Sequence, residues 1–225
     1  GRNRGATVPA SGKNKAGREK EGRTAGVSDE ADPQQRAAAR FHARGVRILR
    51  ADAHHLGYKP NFSIFDEGDQ MGLIKKIITR VCAKDEKLDP NLAKNMISKA
   101  KNNGWPVDGA SLVGAVHNRY EQELRSLNAM DFDDLLRKAV QLFDENPDVR
   151  DKWRARVKHL LVDEFQDTNN LQLQLVTHMA SGNPPNVCVV GDDDQSIYGW
   201  RGAEVSNILE FERHFPDPRV IRLEQ

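Results

Sequence analysis

The sequence predicts an α/β fold in which a long helical region precedes alternating strands and helices. Apolar side chains recur at helical spacing through almost all of residues 46–145. After Trp153 short continuous apolar runs alternate with helical segments, a pattern typical of buried parallel strands joined by crossover helices. The length of 225 residues, 38% of them hydrophobic, allows one large domain or two small ones.

Residues 1–40 differ in composition from the rest of the chain. They are basic, and Val8 and Val27 are their only large aliphatic residues. Such a segment buries too little apolar area to offset the entropy lost on ordering, so we expect it to be mostly disordered. A solvated tail is the first interpretation, and a basic tail that touches DNA is the alternative. Ordered sequence is expected from Phe41 onwards.

The elements of the ordered part follow from spacing and from turn residues. In the helical region, helices are predicted at 41–57, 69–82, 90–102, 112–127 and 132–143. In the alternating region, strands are predicted at 157–162, 186–190 and 220–223, and helices at 169–180 and 203–215.

Composition excludes several classes of protein. The formal net charge is +1, so any basic surface must be local. Cys82 and Cys188 match no metal-ligand spacing, and the apolar run around Cys188 predicts a buried thiol. The sequence contains no apolar stretch of transmembrane length and no secretory signal, so we expect a cytoplasmic location.

Two acidic residues, Asp163 and Glu164, directly follow the first predicted strand. In open α/β sheets, ligands bind beyond the carboxyl ends of the strands. An Asp there can hold Mg²⁺, and a neighbouring Glu can accept a proton from an attacking water. The alternative is an ordinary polar strand end, but the extended string Asp-Glu-Phe-Gln-Asp-Thr at 163–168 favours a functional site.

A second polar loop follows the next predicted strand and carries three consecutive aspartates at 192–194. Three adjacent carboxylates repel one another unless they are exposed or face cations. The loop continues with an amide that can sense a phosphate oxygen, two aromatic faces and a cation: Gln195, Tyr198, Trp200 and Arg201. Aromatic faces stack on unpaired bases, each worth about 1–3 kcal/mol. Aromatic residues also fill cores, but Gly199 and Gly202 favour an exposed loop.

Together these segments resemble the UvrD, PcrA and Rep family of superfamily-1 DNA helicases. Residues 163–168 are similar to motif II (Walker B), 191–203 to motif III and 222–225 to the opening of motif IV. Residues 41–50 are similar to the segment that enters the helical 1B subdomain, and 118–136 look most like Rep. The resemblance extends over residues 41–225.

The resemblance implies a RecA-like P-loop NTPase core with an incomplete parallel sheet and a helical 1B-type insertion. The corresponding division is an N-terminal segment at 1–40, a helical 1B-like subdomain at 41–128 and a partial ATPase domain 1A at 129–225. Members of the family use ATP and Mg²⁺, move 3′ to 5′ along single-stranded DNA and unwind duplexes. Single-stranded DNA and duplex junctions are the implied partners, with self-association and replication or repair proteins as further candidates.

The resemblance also assigns roles to individual residues. Asp163 would coordinate Mg²⁺, Glu164 would be the general base, and Gln195 would contact the γ-phosphate and couple it to DNA. The implied DNA-binding residues are Tyr198 and Trp200 for base stacking, Arg201 for a supporting DNA contact or for positioning of the motif, and His42 near the DNA backbone.

The sequence departs from the family in lacking the phosphate-binding loop G-x-x-x-x-G-K-[ST]. Ser11-Gly12-Lys13-Asn14 comes nearest, but Thr7 stands in place of the first glycine and Asn14 in place of the hydroxyl. Residues 14–19 resemble motif Ia without its preceding strand. The arginines of a second RecA-like domain are absent as well. We therefore expect a fragment with negligible ATPase activity on its own.

Two alternatives stay open: the motor subunit of a helicase–nuclease, and a non-catalytic remnant that binds single-stranded DNA without ATP. All these interpretations require one arrangement. The acids after Val162 and the loop after Val190 must emerge side by side from adjacent parallel strands.

Overall fold

A computed structural model of the chain describes residues 33–83, 87–103, 107–182, 184–195, 204 and 206–222. The helices are Pro33–Asp52 (α1), Glu67–Val81 (α2), Pro90–Asn103 (α3), Leu112–Ser126 (α4), Phe132–Glu145 (α5), Pro147–Arg154 (α6), Asn170–Met179 (α7), Ser206–Leu209 (α8) and Phe211–His214 (α9). The strands are Ser63–Ile64 (β1), Ala129–Met130 (β2), Leu160–Val162 (β3) and Val187–Val189 (β4).

The described strands form two separate two-stranded sheets, and both are parallel. Strand β1 pairs with β2, with Ser63 opposite Ala129. Strand β3 pairs with β4, with Leu160 opposite Val187 and Val162 opposite Val189. Helix α7 makes the crossover between β3 and β4, as parallel pairing requires. The chain is therefore an α/β structure dominated by helices.

Side-chain caps set where several helices begin. Asp66 and Asp69 form a capping box at α2, Asp131 and Asp134 form one at α5, and Asn169 and Gln172 form one at α7. In each box the cap side chain accepts from the backbone N–H three residues later, while that later side chain accepts from the cap N–H. These reciprocal bonds satisfy backbone N–H groups at the first turn and so determine the residue at which each helix begins.

Three apolar clusters form the core of the described structure. The first joins α1, α5, α6 and α7 and includes Ile48, Leu49, Phe143, Trp153 and Leu175. The second joins α2, α3 and α4 and includes Ile74, Ile77, Ile97, Val116 and Tyr120. The third packs β3 and β4 against α7 and the C-terminal helices, and includes Val162, Phe165, Leu173, Val176 and Phe215. The two sides of α7 thus connect the helical region to the β3–β4 sheet.

A buried ion cluster, which we call the Lys101 cluster, joins α3, α4 and α5. The ammonium of Lys101 lies 2.7 Å from Asp131, 3.0 Å from Asp134 and 2.8 Å from Glu121. The side chains of Lys101 and Asp131 are each 1% exposed. Because a buried charge is tolerated only when it is paired and hydrogen-bonded, this cluster fixes how the three helices pack.

Further donors complete the Lys101 cluster. Tyr120 donates its hydroxyl proton to Asp131 at 2.9 Å, and the Gln70 amide donates to the same oxygen at 3.2 Å. Arg137 bridges Asp134 and Glu121, at 2.7 and 2.6 Å. Burial and the nearby carboxylates raise the pKa of the Tyr120 hydroxyl, so it remains a donor.

Most elements agree with the sequence prediction. The helices predicted at 69–82, 90–102, 112–127, 132–143 and 169–180 are confirmed as α2, α3, α4, α5 and α7. The strands predicted at 157–162 and 186–190 are confirmed as β3 and β4, although both are shorter.

The helical region of the structure differs from the sequence prediction in three ways. Helix α1 begins at Pro33 rather than near Phe41, because proline suits a first helical turn and the following residues include three consecutive alanines. The short strands β1 and β2 interrupt the region predicted to be almost entirely helical. Helix α6 lies between the predicted α5 and β3 and had no counterpart in the prediction.

Other differences concern the C-terminal part. The predicted helix at 203–215 is split at Glu210 into α8 and α9. The predicted strand at 220–223 is wrong for its described residues, since Val220 and Ile221 are exposed and lie in no strand. The prediction of a buried Cys188 is also wrong, because its side chain lies on the exposed face of β4. Among the described helices, none has the length and apolar composition needed to cross a bilayer.

Candidate functional site

The two polar loops predicted from the sequence leave the β3–β4 sheet at the same edge. Backbone pairing continues past the strands, since Val190 N–H donates to Val162 at 2.8 Å and Phe165 N–H donates to Val190 at 3.0 Å. Because β3 and β4 are parallel, both loops start at their carboxyl ends. The arrangement on which the sequence interpretation depends is therefore present.

The side chain of Gln166 joins the two loops. Its amide nitrogen donates to Glu164 Oε2 at 2.9 Å, and its amide oxygen accepts from the backbone N–H of Asp192 at 3.1 Å. Gln166 is 1% exposed, so these bonds form away from competing water. The position of the Glu164 carboxylate is thus coupled to the backbone of the second loop.

Gly191 allows the two loops to approach so closely. A Cβ atom at this position would lie 2.5 Å from Gln166 Oε1 and 2.8 Å from Ile208 Cδ1. Both distances are shorter than van der Waals contact, so a larger residue would displace Gln166. A Cβ at residue 191 could be accommodated only if the side chains of Gln166 and Ile208 moved, and Gln166 is the residue that joins the loops.

Glu164 has a left-handed backbone conformation, with φ of 50° and ψ of 42°. This region disfavours residues that carry a Cβ, at about 1–2 kcal/mol relative to a right-handed conformation. The turn projects the half-buried Glu164 side chain towards Gln166. A carboxylate held in this way can accept a proton from a bound water without first being ordered.

Asp163 is exposed at the end of β3. Its carboxylate pairs with Arg40 of α1 at 3.0 Å, and the two side chains are 58% and 70% exposed. Arg40, Arg44 and Arg47 line one side of a groove of about 390 Å³ between α1 and β3. These guanidinium groups make the α1 side of the groove positively charged, whereas most of its remaining lining is apolar.

The second loop begins with a hydrogen-bonded turn. Gln195 is exposed, and its amide nitrogen donates to Asp192 Oδ2 at 2.6 Å. Asp194 N–H donates to the other oxygen of Asp192 at 3.1 Å. The carboxylates of Asp163, Glu164 and Asp192 are hard oxygen donors of the kind that Mg²⁺ prefers, and Asp163 is exposed.

The end of the first loop is anchored to α8. Asn207 donates from its side-chain amide to the Thr168 carbonyl at 2.9 Å, and Glu204 N–H donates to the same carbonyl at 3.1 Å. Phe211 of α9 packs edge-on against Phe165, with ring centroids 5.6 Å apart. The two short helices α8 and α9 on either side of Glu210 thus contact different residues of the first loop.

His42 lies on α1, and its ring stacks on Phe132 at the start of α5. The ring centroids are 3.9 Å apart and the planes differ by 21°. Phe132 shares the helical spacing of the buried apolar residues of α5, but it is 56% exposed. The pair therefore forms a flat aromatic surface that is accessible to solvent.

The structure brings together some of the predicted site residues and does not describe others. Asp163 and Glu164 lie beside the loop that carries Gln195, whereas His42 lies on α1 against α5. Tyr198, Trp200 and Arg201 are outside the described residues, as is the motif IV segment beyond Arg222.

Sequence reasoning missed Gln166, Gly191, Arg40 and Phe132. Gln166 stood inside the acidic string that drew attention to the site, yet no role was given to it. Arg40 lay in the segment expected to be disordered. Spacing in the sequence could have flagged Gly191, since it is the first residue after the predicted strand.

Comparison with known proteins identifies relatives for most of the chain. Residues 9–216 match the UvrD/REP helicase N-terminal domain. The chain is 40% identical over 194 residues to the ATP-dependent DNA helicase PcrA of Staphylococcus aureus strain NCTC 8325, covering 82% of this chain and 26% of that protein. It is 39% identical over 221 residues to the same-named protein of Leuconostoc citreum, covering 94% and 29%. The PcrA helicase of Bacillus subtilis strain 168 is 40% identical over 194 residues.

The chain thus spans between a quarter and a third of the length of these relatives. The match starting at residue 9 includes the segment that resembles motif Ia at 14–19, although that segment lies outside the described residues.

Proposed function

The chain belongs to the UvrD/REP helicase family, and from that premise we propose that it is part of an ATP-dependent motor that moves 3′ to 5′ along single-stranded DNA. The motor would unwind duplexes during replication or repair in the cytoplasm. In this proposal 129–225 belong to a RecA-like core of which this chain holds only a part, and 41–128 form the helical 1B-type insertion.

One observation carries the proposal. The first loop bears the carboxylates suited to ATP hydrolysis and the second leads into the residues suited to DNA, and Gln166 hydrogen-bonds to both. A change at the nucleotide can therefore reach the DNA-binding loop through one buried side chain. Such coupling between two loops is what a translocating ATPase requires and what a passive DNA-binding module does not.

Three residues are proposed to act at the nucleotide. Asp163 would hold Mg²⁺, which supplies charge neutralisation at the phosphate oxygens when it is bound. Glu164 would accept the proton of the attacking water, from a position held by Gln166. Gln195 would contact the γ-phosphate after releasing Asp192, and its exposure leaves it free to do so.

The DNA would lie across the aromatic and basic residues near the same loops. Tyr198 and Trp200 would stack on bases, Arg201 would support that contact, and His42 would lie near the backbone. The exposed ring of Phe132, stacked on His42, adds a further aromatic surface. Stacking of this kind tolerates any base, which suits a motor that must move along arbitrary sequence.

The nucleotide role is tested by Glu164→Gln in the complete helicase that contains this chain. Removing the general base should lower the rate of phosphate release by a factor of about 100–10,000 with little change in ATP binding. Glu212→Gln, which neutralises an exposed carboxylate on α9, is the matched control and should leave the rate unchanged. Equal rates for Glu164→Gln and the wild type would exclude Glu164 as the base.

The DNA role is tested by Trp200→Ala with a labelled single-stranded oligonucleotide and fluorescence anisotropy. Loss of one stacked base should weaken binding about 5- to 150-fold, the equivalent of about 1–3 kcal/mol. Leu209→Ala, which shortens an exposed apolar side chain of α8, is the control. Unchanged affinity of Trp200→Ala would remove the stacking role, and binding by this chain without any effect of ATP would favour the non-catalytic alternative.

A further inference from the structure

The end of α1 carries a short turn whose side chains point in two directions. Residues Ala53–Leu56 form one turn of 3-10 helix, closed by Gly57 with φ of 74°. Ala53 and Leu56 are buried in the core, so His54 and His55 between them face solvent. The backbone of the turn is fixed by bonds from the N–H groups of Gly57 and Tyr58 to the carbonyls of His54 and Ala53.

Asp52 lies beneath this pair of histidines and is only 3% exposed. Its carboxylate accepts from Trp153 Nε1 at 2.7 Å and pairs with the ammonium of Lys152, both on α6. Burial alone would raise the pKa of Asp52, but the bonds from Lys152 and Trp153 outweigh it and lower the pKa. The carboxylate is therefore ionised at neutral pH and held in one orientation.

The two imidazole rings lie against each other, with centroids 4.2 Å apart and planes inclined by 37°. One ligand atom from each of Asp52, His54 and His55 lies within 4.8 Å of the other two. Ligand atoms around a tetrahedral Zn²⁺ are about 3.3–3.5 Å apart, given bonds of roughly 2.0–2.2 Å. Because both rings are exposed, small side-chain rotations can bring the ligand atoms from within 4.8 Å of one another to the spacing that Zn²⁺ requires.

We propose that Asp52, His54 and His55 form a binding site for a transition-metal ion of the Zn²⁺ class. Two imidazole nitrogens and one carboxylate oxygen are ligands that suit Zn²⁺, Ni²⁺ and Cu²⁺, whereas Mg²⁺ and Ca²⁺ prefer oxygen ligands alone. Three ligands from the protein leave a further position for water.

This site is separate from the candidate Mg²⁺ ligand Asp163. Arg40, which contacts Asp163, lies twelve residues before Asp52 on α1, or about 18 Å along the helix axis. The proposed ion does not share ligands with the nucleotide site, so its binding can be measured independently of ATP hydrolysis.

Lys152 is the built-in competitor for the ion. Its ammonium occupies one oxygen of Asp52, but its side chain is 44% exposed and can move into solvent. Trp153 would continue to orient the carboxylate after Lys152 leaves. A bound ion would thus replace the Lys152 ion pair and link the turn after α1 to α6 through Asp52.

The test is calorimetric titration of ZnCl₂ into the tag-free chain with excess MgCl₂ present. One equivalent should bind, and His54→Gln and His55→Gln should each weaken it by about tenfold or more. Lys152→Met should strengthen binding, because it removes the competing cation and leaves Asp52 and Trp153 in place. His214→Gln, which removes an exposed histidine on α9, is the matched control and should have no effect.

Two outcomes would overturn the proposal. One is the absence of stoichiometric Zn²⁺ binding by the wild-type chain. The other is equal affinity of the wild type and the His54→Gln/His55→Gln double variant, which would place the ion elsewhere. Circular dichroism of each variant establishes that folding is intact, since both histidines are exposed and neither substitution removes a core contact.

Discussion

Two acidic segments of similar composition occupy opposite environments in this chain. The segment Asp-Phe-Asp-Asp at 131–134 lies at the start of α5, and Asp131 and Asp134 are buried beside Lys101. The segment Asp-Glu-Phe-Gln-Asp at 163–167 follows β3, and Asp163 remains 58% exposed. In sequence both are clusters of carboxylates around a phenylalanine.

The difference between them lies in their counter-charges. The side chain of Lys101 is 1% exposed and contacts three carboxylates, so those acids stabilise the packing of the helices. The partner of Asp163 is an exposed arginine that can be displaced at little cost. The burial of the two phenylalanines is opposite to that of the acids around them, since Phe132 is exposed and Phe165 is fully buried. Acids available for chemistry are those that the fold leaves without a buried cation.

Removing the cation of the buried segment should give the largest loss of stability. Lys101→Met leaves the buried Asp131 without a counter-charge, while Asp134 and Glu121 keep Arg137, and we expect the free energy of unfolding to fall by about 3–5 kcal/mol. Lys99→Met, on the exposed side of the same helix, should change it by less than about 0.5 kcal/mol. Urea denaturation followed by circular dichroism measures both, and equal stabilities would show that the cluster contributes nothing.

The second-largest loss of stability should follow from disturbing the contact between the exposed segment and the loop after β4. Gly191→Ala places a Cβ within 2.5 Å of Gln166 Oε1, and overpacking of this kind lowers stability by about 1–3 kcal/mol. If Glu164 is the proposed general base, phosphate release by the proposed longer helicase should fall as well, because Gln166 holds Glu164 in place. Gly72→Ala in α2 is the control, since its Cβ would meet no atom within 4 Å. A Gly191→Ala variant as stable and active as Gly72→Ala would refute the role of the close approach.

The buried segment should also impose a dependence on pH. Burial alone would raise the pKa of Asp134, but the charges of Lys101 and Arg137 outweigh it and lower the pKa to about 2. Because the folded pKa of Asp134 lies below the unfolded one, the contribution of this carboxylate is present above about pH 4 and is lost as the pH falls towards 2. Asp131 shifts the other way, since burial and the Asp134 charge raise its pKa to about 6. We expect Asp134→Asn to reduce the slope of stability between pH 4 and 2, and Glu212→Gln to retain it. Identical slopes in thermal melts of both variants would contradict the assignment.

The ion pair of the exposed segment should matter least for stability. Arg40→Gln removes the partner of Asp163, and exposed pairs of this kind contribute about 0–1 kcal/mol. A loss above about 2 kcal/mol in urea denaturation would mean that Arg40 is structural, and the comparison between the two segments would then fail.

The sequence was sufficient for the elements that have strong local signals. Helices α2, α3, α4, α5 and α7 show regular apolar spacing, and the strands β3 and β4 are continuous apolar runs. The side-by-side exit of the two loops also followed from sequence, because parallel strands joined by a crossover helix must end at the same edge.

Features that depend on contacts between distant residues could not be predicted in this way. Phe132 has the spacing of a core residue, and only the packing of α1 against α5 shows that its ring meets His42 instead. Cys188 lies in an apolar run, but one face of the described β3–β4 sheet is exposed and carries it together with Leu161. The burial of Lys101 required three acids from two other helices, which no local pattern reveals.

The left-handed backbone of Glu164 has a consequence for the evolution of this chain. Glycine would relax the turn and asparagine would fit it better than glutamate does, so random substitution at this position has routes towards a more stable fold. Each of those routes discards the carboxylate. Selection for thermal tolerance alone should therefore change this turn early, and the variants recovered should be more stable proteins that lack the carboxylate proposed as the general base.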